Sequence, residues 1–347
     1  MSSLLVTQSF VGPGGSALDC AAAGKSWPGA RKNVADDTAV GAALEASRLK
    51  VPLLGAIEGG GTKFVCAVGH SPHSILERVV IPTREPEWTL KAALDFFSAA
   101  QHTHGAIGAF GFASFGPLDL RHGSATFGRL LATPKPGWSG TDLVGALRSR
   151  FTAPVEIDTD VAAAALAELR CGAGRDVGSV AYVTVGTGIG GGFAPAPAGL
   201  ARLLHPEMGH LRVRRDPRDA DFRGICPFHG DCLEGLASGP AIRARWGTQL
   251  NSLTPSHPAW SIIGGYLGEL AASIVLVASP ERVIFGGGVM SNEHLLPHVH
   301  RAARELLNGY IGPLNDVGAL ERYICTPGLR DGAGLAGALL MAAQTKS

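Results

Sequence analysis

Three glycine runs, each at the end of a β-rich segment, constrain this chain more than any other feature. They are Ile57-Glu58-Gly59-Gly60-Gly61-Thr62-Lys63, Val185-Gly186-Thr187-Gly188-Ile189-Gly190-Gly191-Gly192 and Phe285-Gly286-Gly287-Gly288-Val289. Glycine supplies 48 of the 347 residues, about twice the usual ~7%, without the three-residue period of collagen. A loop without Cβ atoms can turn backbone N–H groups toward an anion. LLGAI before the first run and FVCAV after it read as a hairpin with a glycine turn, and SVAYVTV leads into the second run in the same way. Any one of these loops could be an ordinary glycine-rich turn. Repeated, they read as a clamp for a nucleotide's phosphates, with Gly60, Gly61, Thr62, Lys63, Gly186, Thr187, Gly188, Gly286, Gly287 and Gly288 as candidate contacts. The spacing is that of neither a Walker loop nor a Rossmann fingerprint.

The rest of the pattern fits an α/β chain of two lobes. Strands are expected at 75–81 and 106–113 with a helix at 88–101 between them, an order β-β-β-α-β. An alanine helix at 158–169 stops at the glycines after Cys171, and GAGLAGALLMAA closes the chain. Small side chains permit close backbone approach, so both read as crossing helices between the lobes. Residues 1–50, mixed in Gly, Pro, Ser and Ala, read as a mostly disordered extension without a secretory signal. Lys and Arg number 30 against 29 Asp and Glu, which leaves no basic field for nucleic acid. The longest apolar stretch, 270–278, is short of the ~20 residues of a membrane span. Six cysteines are too sparse for a disulfide framework and fit a reducing cytoplasm.

His205-Pro-Glu207-Met-Gly-His210 is followed by Cys226-Pro-Phe-His229-Gly-Asp-Cys232-Leu-Glu234. Cys226, His229 and Cys232 lie three residues apart with His210 sixteen upstream, a soft and borderline donor set that suits a closed tetrahedral zinc site. Free thiols beside surface histidines, or a Cys226–Cys232 disulfide, are the alternatives. With four protein ligands no position is left to activate water, so the zinc would be structural. Asp158 and Asp160 stand where the alanine helix begins, and helix capping accounts for either.

Taken together, IEGGGTK, DTDVAAAALAE, VGTGIGGG, FGGGV and GAGLAGALLMA resemble the two phosphate motifs, the adenosine motif and the two connecting segments of the ROK family of sugar kinases. The resemblance covers about 52–345. It implies the two-lobe actin-like ATPase (ribonuclease H-like) fold, an N-terminal lobe at 51–160 joined by the C-terminal helix 331–347, and a C-terminal lobe at 161–330 carrying the zinc loop 205–234. Asp160 becomes the base that takes the sugar's proton, Glu207, His210 and Glu234 the sugar-binding groups, and His210, Cys226, His229 and Cys232 the zinc ligands. Glu58, where glucose-type relatives carry Asp, would hold Mg²⁺ through water, and Ala162 stands where relatives often carry Asn. GFASFGPLD, TPKPGW, HPEMGH and GICPFHGDCLEGLASGPA resemble the fructokinases of the family, which implies ATP and D-fructose as substrates and a homodimer. Another hexose (glucose, mannose or N-acetylmannosamine) or a sugar-sensing repressor of the same family are the alternatives.

Overall fold

The computed structural model describes residues 52–196, 204–329 and 332–345. The extension expected at 1–50 and both ends of the helix expected at 331–347 lie outside the described residues. Chain order in the first lobe is β1 (Leu53–Gly59), β2 (Lys63–Ser71), β3 (Ser74–Pro82), α1 (Pro86–His104), β4 (Ile107–Ser114), α2 (Leu143–Arg148) and β5 (Val155–Thr159). These five strands form one sheet in the order β3-β2-β1-β4-β5, antiparallel from β1 to β3 and parallel from β1 to β5. Then come α3 (Asp160–Cys171), β6 (Val180–Val185), β7 (Ile189–Ala194), α4 (Leu233–Ala237), α5 (Gly239–Trp246), α6 (Ala259–Ala278), β8 (Arg282–Gly286), α7 (Leu296–Leu307), α8 (Val317–Tyr323), β9 (Ile324–Cys325) and α9 (Ala333–Gln344). The second sheet has the order β7-β6-β8-β9.

Each sheet buries its outer face under its own helices. Phe64, Phe97, Phe110, Phe112 and Trp138 fill the first such core, and α6 and α7 cover the second sheet. Between the sheets lie α3 and α9, and here the Gly and Ala content finds its use. A Cβ on Gly337 of α9 would strike the carbonyl of Ala163 in α3, and one on Gly111 of β4 would strike the carbonyl of Ala338. Larger residues would hold these backbones apart, because close-packed interiors leave no slack for an added methyl group.

A buried carboxylate ties these helices to the second lobe. Glu168, fully buried in α3, accepts from the N–H of Ala173 (2.7 Å), Gly328 (2.9 Å) and Leu329 (2.9 Å), the last two on the segment leading into α9. Glu168→Gln replaces one acceptor oxygen with a donor facing an N–H. It should cost about 1–3 kcal/mol, read by urea unfolding.

Two expectations need correction. The apolar stretch at 270–278 is only the end of α6, a helix of 20 residues that is long and apolar enough by composition to cross a membrane. It packs inside the second lobe instead: Gly264 and Gly268 sit against His298 and Ala302 of α7, and Ile263, Leu267 and Leu270 join the core. The alanine helix starts at Asp160 rather than 158. Thr159 is its cap, its hydroxyl accepting from Ala162 N–H at 3.2 Å, while Asp158 belongs to β5 opposite Ala113.

Candidate active site

The first glycine turn joins β1 to β2 and is braced from several directions. Gly60 N–H donates to Lys63 O (2.9 Å), Thr83 Oγ1 donates to Gly60 O (2.7 Å), and Lys135 Nζ donates to Gly61 O (2.6 Å). The Gly60 amide is therefore committed to its own turn, while Gly61, Thr62 and Lys63 are exposed at the tip. The second turn, between β6 and β7, is likewise closed by Gly186 N–H on Gly188 O (2.8 Å). Of the three clusters the third is the most demanding. Gly287 has φ +91, a left-handed conformation that favours glycine, and a Cβ there would meet Val185 N at 2.6 Å.

The second and third turns meet in one cavity of about 330 Å³, lined by Gly186, Thr187 and Gly288 together with Gly239, Arg243 and Asn251. Gly239, at the start of α5, is drawn in by its own N–H on Gly186 O (2.7 Å). Gly60–Lys63 line neither this cavity nor the next. Arg243 and Asn251 were not anticipated from the sequence; they follow the Ser-Gly-Pro start of α5, a capping signal legible at 238–240.

A second cavity, about 190 Å³, gathers Asp160, Glu207, His210 and Glu234, with Gly116 and Pro117 of the first lobe opposite His205. Asp160 is placed by the sharp exit from β5 into α3, where its Oδ1 accepts from Val161 N–H at 2.9 Å. Burial raises its pKa to about 7, with the charges of Glu58 and Glu207 adding to the rise. Glu207 is also raised to about 7, by burial and then by Glu234. Glu58 leans against α9, where a Cβ on Gly334 would meet its Oε1 at 2.5 Å. Such mutual repulsion among carboxylates suits a site that receives a proton and a cation. Glu234 reaches further, its Oε2 accepting from Ile189 N–H at 2.8 Å, so one carboxylate touches both the second cavity and the second glycine turn.

Behind this cavity the segment from Cys226 to Gly230 folds into a knuckle, Cys226 and Gly230 exchanging both backbone hydrogen bonds (3.0 and 2.9 Å) with Gly230 at φ +63. The potential ligand atoms of His210, Cys226, His229 and Cys232 all lie within 4.8 Å of one another. Cys226 Sγ is 3.8 Å from His210 Nδ1 and 3.7 Å from His229 Nδ1, and Cys232 Sγ is 3.5 Å from His210 Nδ1. Around a tetrahedral zinc with its usual bond lengths, ligand atoms stand roughly 3.4–3.8 Å apart, so this donor set fits the ion. Both cysteines are free thiols, which removes the disulfide alternative. The loop is anchored by Asp219, nearly buried, which accepts from the Tyr266 hydroxyl (2.7 Å) and pairs with Arg245 (3.0 Å). Sequence spacing held no hint of that anchor.

The ROK family model matches residues 54–345. The chain is 45% identical over 299 residues to the fructokinase of Zymomonas mobilis subsp. mobilis, covering 85% of this chain and 98% of that protein. It is 39% identical over 290 residues to the fructokinase of Pediococcus pentosaceus, covering 84% and 97%. Among solved structures it is similar to the ROK hexokinase from Thermus thermophilus, with a TM-score of 0.66, 27% identity and coverage of 84% and 97%.

Proposed function

The chain belongs to the ROK family, and from that premise we propose that it is an ATP-dependent kinase that converts D-fructose to D-fructose 6-phosphate. One observation carries the chemical part of this reading: Asp160, Glu207, His210 and Glu234 converge on one cavity, and Glu234 links it to a glycine turn of the nucleotide cavity. The choice of fructose is supported by relatives named fructokinase at 36–45% identity over most of the chain.

In this reading the sugar lies against Glu207, His210 and Glu234, with its primary hydroxyl facing Asp160. The hydroxyl oxygen attacks the γ-phosphorus in line, the bond from that phosphorus to the β-phosphate oxygen breaks, ADP departs, and the hydroxyl proton passes to Asp160. Glu58 is the residue of this chain that would hold, through water, the magnesium that kinases of this family use with ATP, an ion that would supply charge neutralisation at the phosphates. In this reading the phosphates meet the tips of the first two glycine turns, at Gly61 and Thr62 on one and at Thr187 and Gly188 on the other; Gly61, Thr62 and Thr187 are exposed there. Lys63 opens β2 with an exposed side chain and serves there as a solvated cation. The adenosine occupies the cavity beside Arg243 and Gly288, and Gly286 and Gly287 carry β8 into Gly288.

Zinc on His210, Cys226, His229 and Cys232 would be structural, holding the loop that carries Glu207 and Glu234 and fixing the tautomer of His210 so that Nε2 can serve the sugar. We place the lobe boundaries at residues 160 and 330, a division that the two separate sheets support. A cytoplasmic location suits the free thiols at Cys66, Cys171, Cys226, Cys232 and Cys325, and light scattering reads out the expected homodimer.

A coupled ADP-release assay across fructose, mannose and glucose tests the assignment. The expected result is a kcat/KM for fructose at least about tenfold above either competitor, since a misplaced hydroxyl leaves a buried carboxylate without its partner. Equal or higher values for glucose or mannose would transfer the assignment to that sugar.

A further inference from the structure

The second cavity has one wall from each lobe, and a side-chain hydrogen bond crosses between those walls. Leu118, fully buried on the loop after β4, donates its backbone N–H to Nε2 of His205 at 3.1 Å. The His205 side chain is only 6% exposed, so water does not compete for this bond. Gly116 leaves room for the ring: a Cβ there would meet Cε1 and Nε2 of His205 at 3.0 Å.

This contact settles the protonation of the imidazole without any choice of tautomer. A backbone N–H can only donate, so Nε2 must accept, and the ring's proton resides on Nδ1. That nitrogen lies 3.5 Å from the carbonyl oxygen of Pro206 and 3.5 Å from Oε1 of Glu207. The proton therefore lies between the carbonyl of Pro206, the residue before Glu207, and one oxygen of the Glu207 carboxylate, which itself borders the cavity. Burial and the neighbouring Glu234 oppose the charge on Glu207, so a fixed donor beside it has a defined task.

We infer that His205 is a positioning residue for the sugar: it accepts a backbone hydrogen bond from the first lobe and, through the opposite ring nitrogen, aims Glu207 at a sugar hydroxyl. The inference rests on the reading of Glu207 as a sugar-binding carboxylate. Its consequence is reciprocal coupling. Sugar held on Glu207 would stabilise the contact of His205 with Leu118, and that contact in turn orders Glu207. This chain of contacts is already made without sugar, so the wall is complete and hydrolysis of ATP in the absence of sugar is held down.

Four proteins test it: the unaltered enzyme, His205→Ala, Glu207→Gln and the double variant, each assayed for fructose KM, ATP KM, kcat and sugar-independent ADP release. His205→Ala should raise the fructose KM about 10- to 100-fold, leave the ATP KM and kcat within about threefold, and increase sugar-independent ADP release. In the Glu207→Gln background the same substitution should change the fructose KM less than about threefold, since the two residues act as one unit. His205→Gln, whose amide oxygen reaches the place of Nε2 but which has no donor at the place of Nδ1, should keep the contact with Leu118 and recover part of the affinity, whereas His205→Asn is too short to reach Leu118 and should behave like His205→Ala. That pair also carries the test if the alanine variant does not fold. Equal fold-changes in both backgrounds, or a loss of kcat with both KM values unchanged, would overturn the inference alone. An unchanged fructose KM in Glu207→Gln by itself would overturn the sugar-site reading and the inference with it.

Discussion

Asp160→Asn should lower kcat by about 10²–10⁴-fold while leaving the fructose KM within a few-fold, the loss expected when a general base is removed and substrate contacts are kept. The substitution is close to isosteric, and Asn Oδ1 can still accept from Val161 N–H, so the start of α3 is preserved. Two further readouts separate this role from a structural one. With a pKa near 7, the unaltered enzyme should lose kcat/KM as pH falls below about 7, and that acid limb should be absent from the residual activity of the variant. Stability should move the other way. Burial raises the Asp160 pKa, so the carboxyl favours the folded state when protonated; that contribution is complete below its unfolded pKa of 3.8 and is lost as pH rises through about 7. At pH 8 the ligand-free Asn variant, which carries no charge, should therefore melt at a higher temperature than the unaltered protein. A variant with normal kcat would remove Asp160 from the chemistry.

Cys226→Ser should have the largest effect on folding. Structural zinc sites are worth roughly 10–16 kcal/mol in small peptides, comparable with the ~5–15 kcal/mol that holds a whole domain. Atomic emission should find one zinc per chain in the purified protein and none in the variant. Its melting temperature should fall by about 10 °C or more, with 205–232 the first segment to gain hydrogen exchange. Because Glu207, His210 and Glu234 all border that loop, the fructose KM should rise in parallel. Prolonged treatment with a strong chelator should reproduce both changes, and added zinc should reverse them. A metal-free protein of full stability would dispose of the site.

How much of this was legible depended on sequence distance. Cys226, His229 and Cys232 announce themselves within seven residues, and the fold gathers them with His210 around one point. The glycine turns and both small-residue helices were equally visible, because a turn without Cβ atoms and a helix of alanines each have a local signature. What stayed hidden were contacts between distant positions. Leu118 lies 87 residues from His205, and Gly328 lies 160 from Glu168. Nothing around either position marks its partner. Lys135 is the same case, an apparently ordinary cation that the fold brings to the carbonyl of Gly61, 74 residues away. The amides of Gly60 and Gly186 show the opposite failure, since glycine-rich sequence implied free donors and the turns use those two for themselves.

The contact of α3 with α9 has a consequence for how the enzyme moves. Where Gly337 meets the carbonyl of Ala163, few side chains project, so few rotamers must change when one helix shifts on the other. Such a joint would serve a sliding motion as a plain bearing does, and the hydrogen bonds of Glu168 tie down one end of it. Bulky residues introduced along that seam would act less by weakening either lobe than by jamming the stroke, and turnover would then become unusually sensitive to cold.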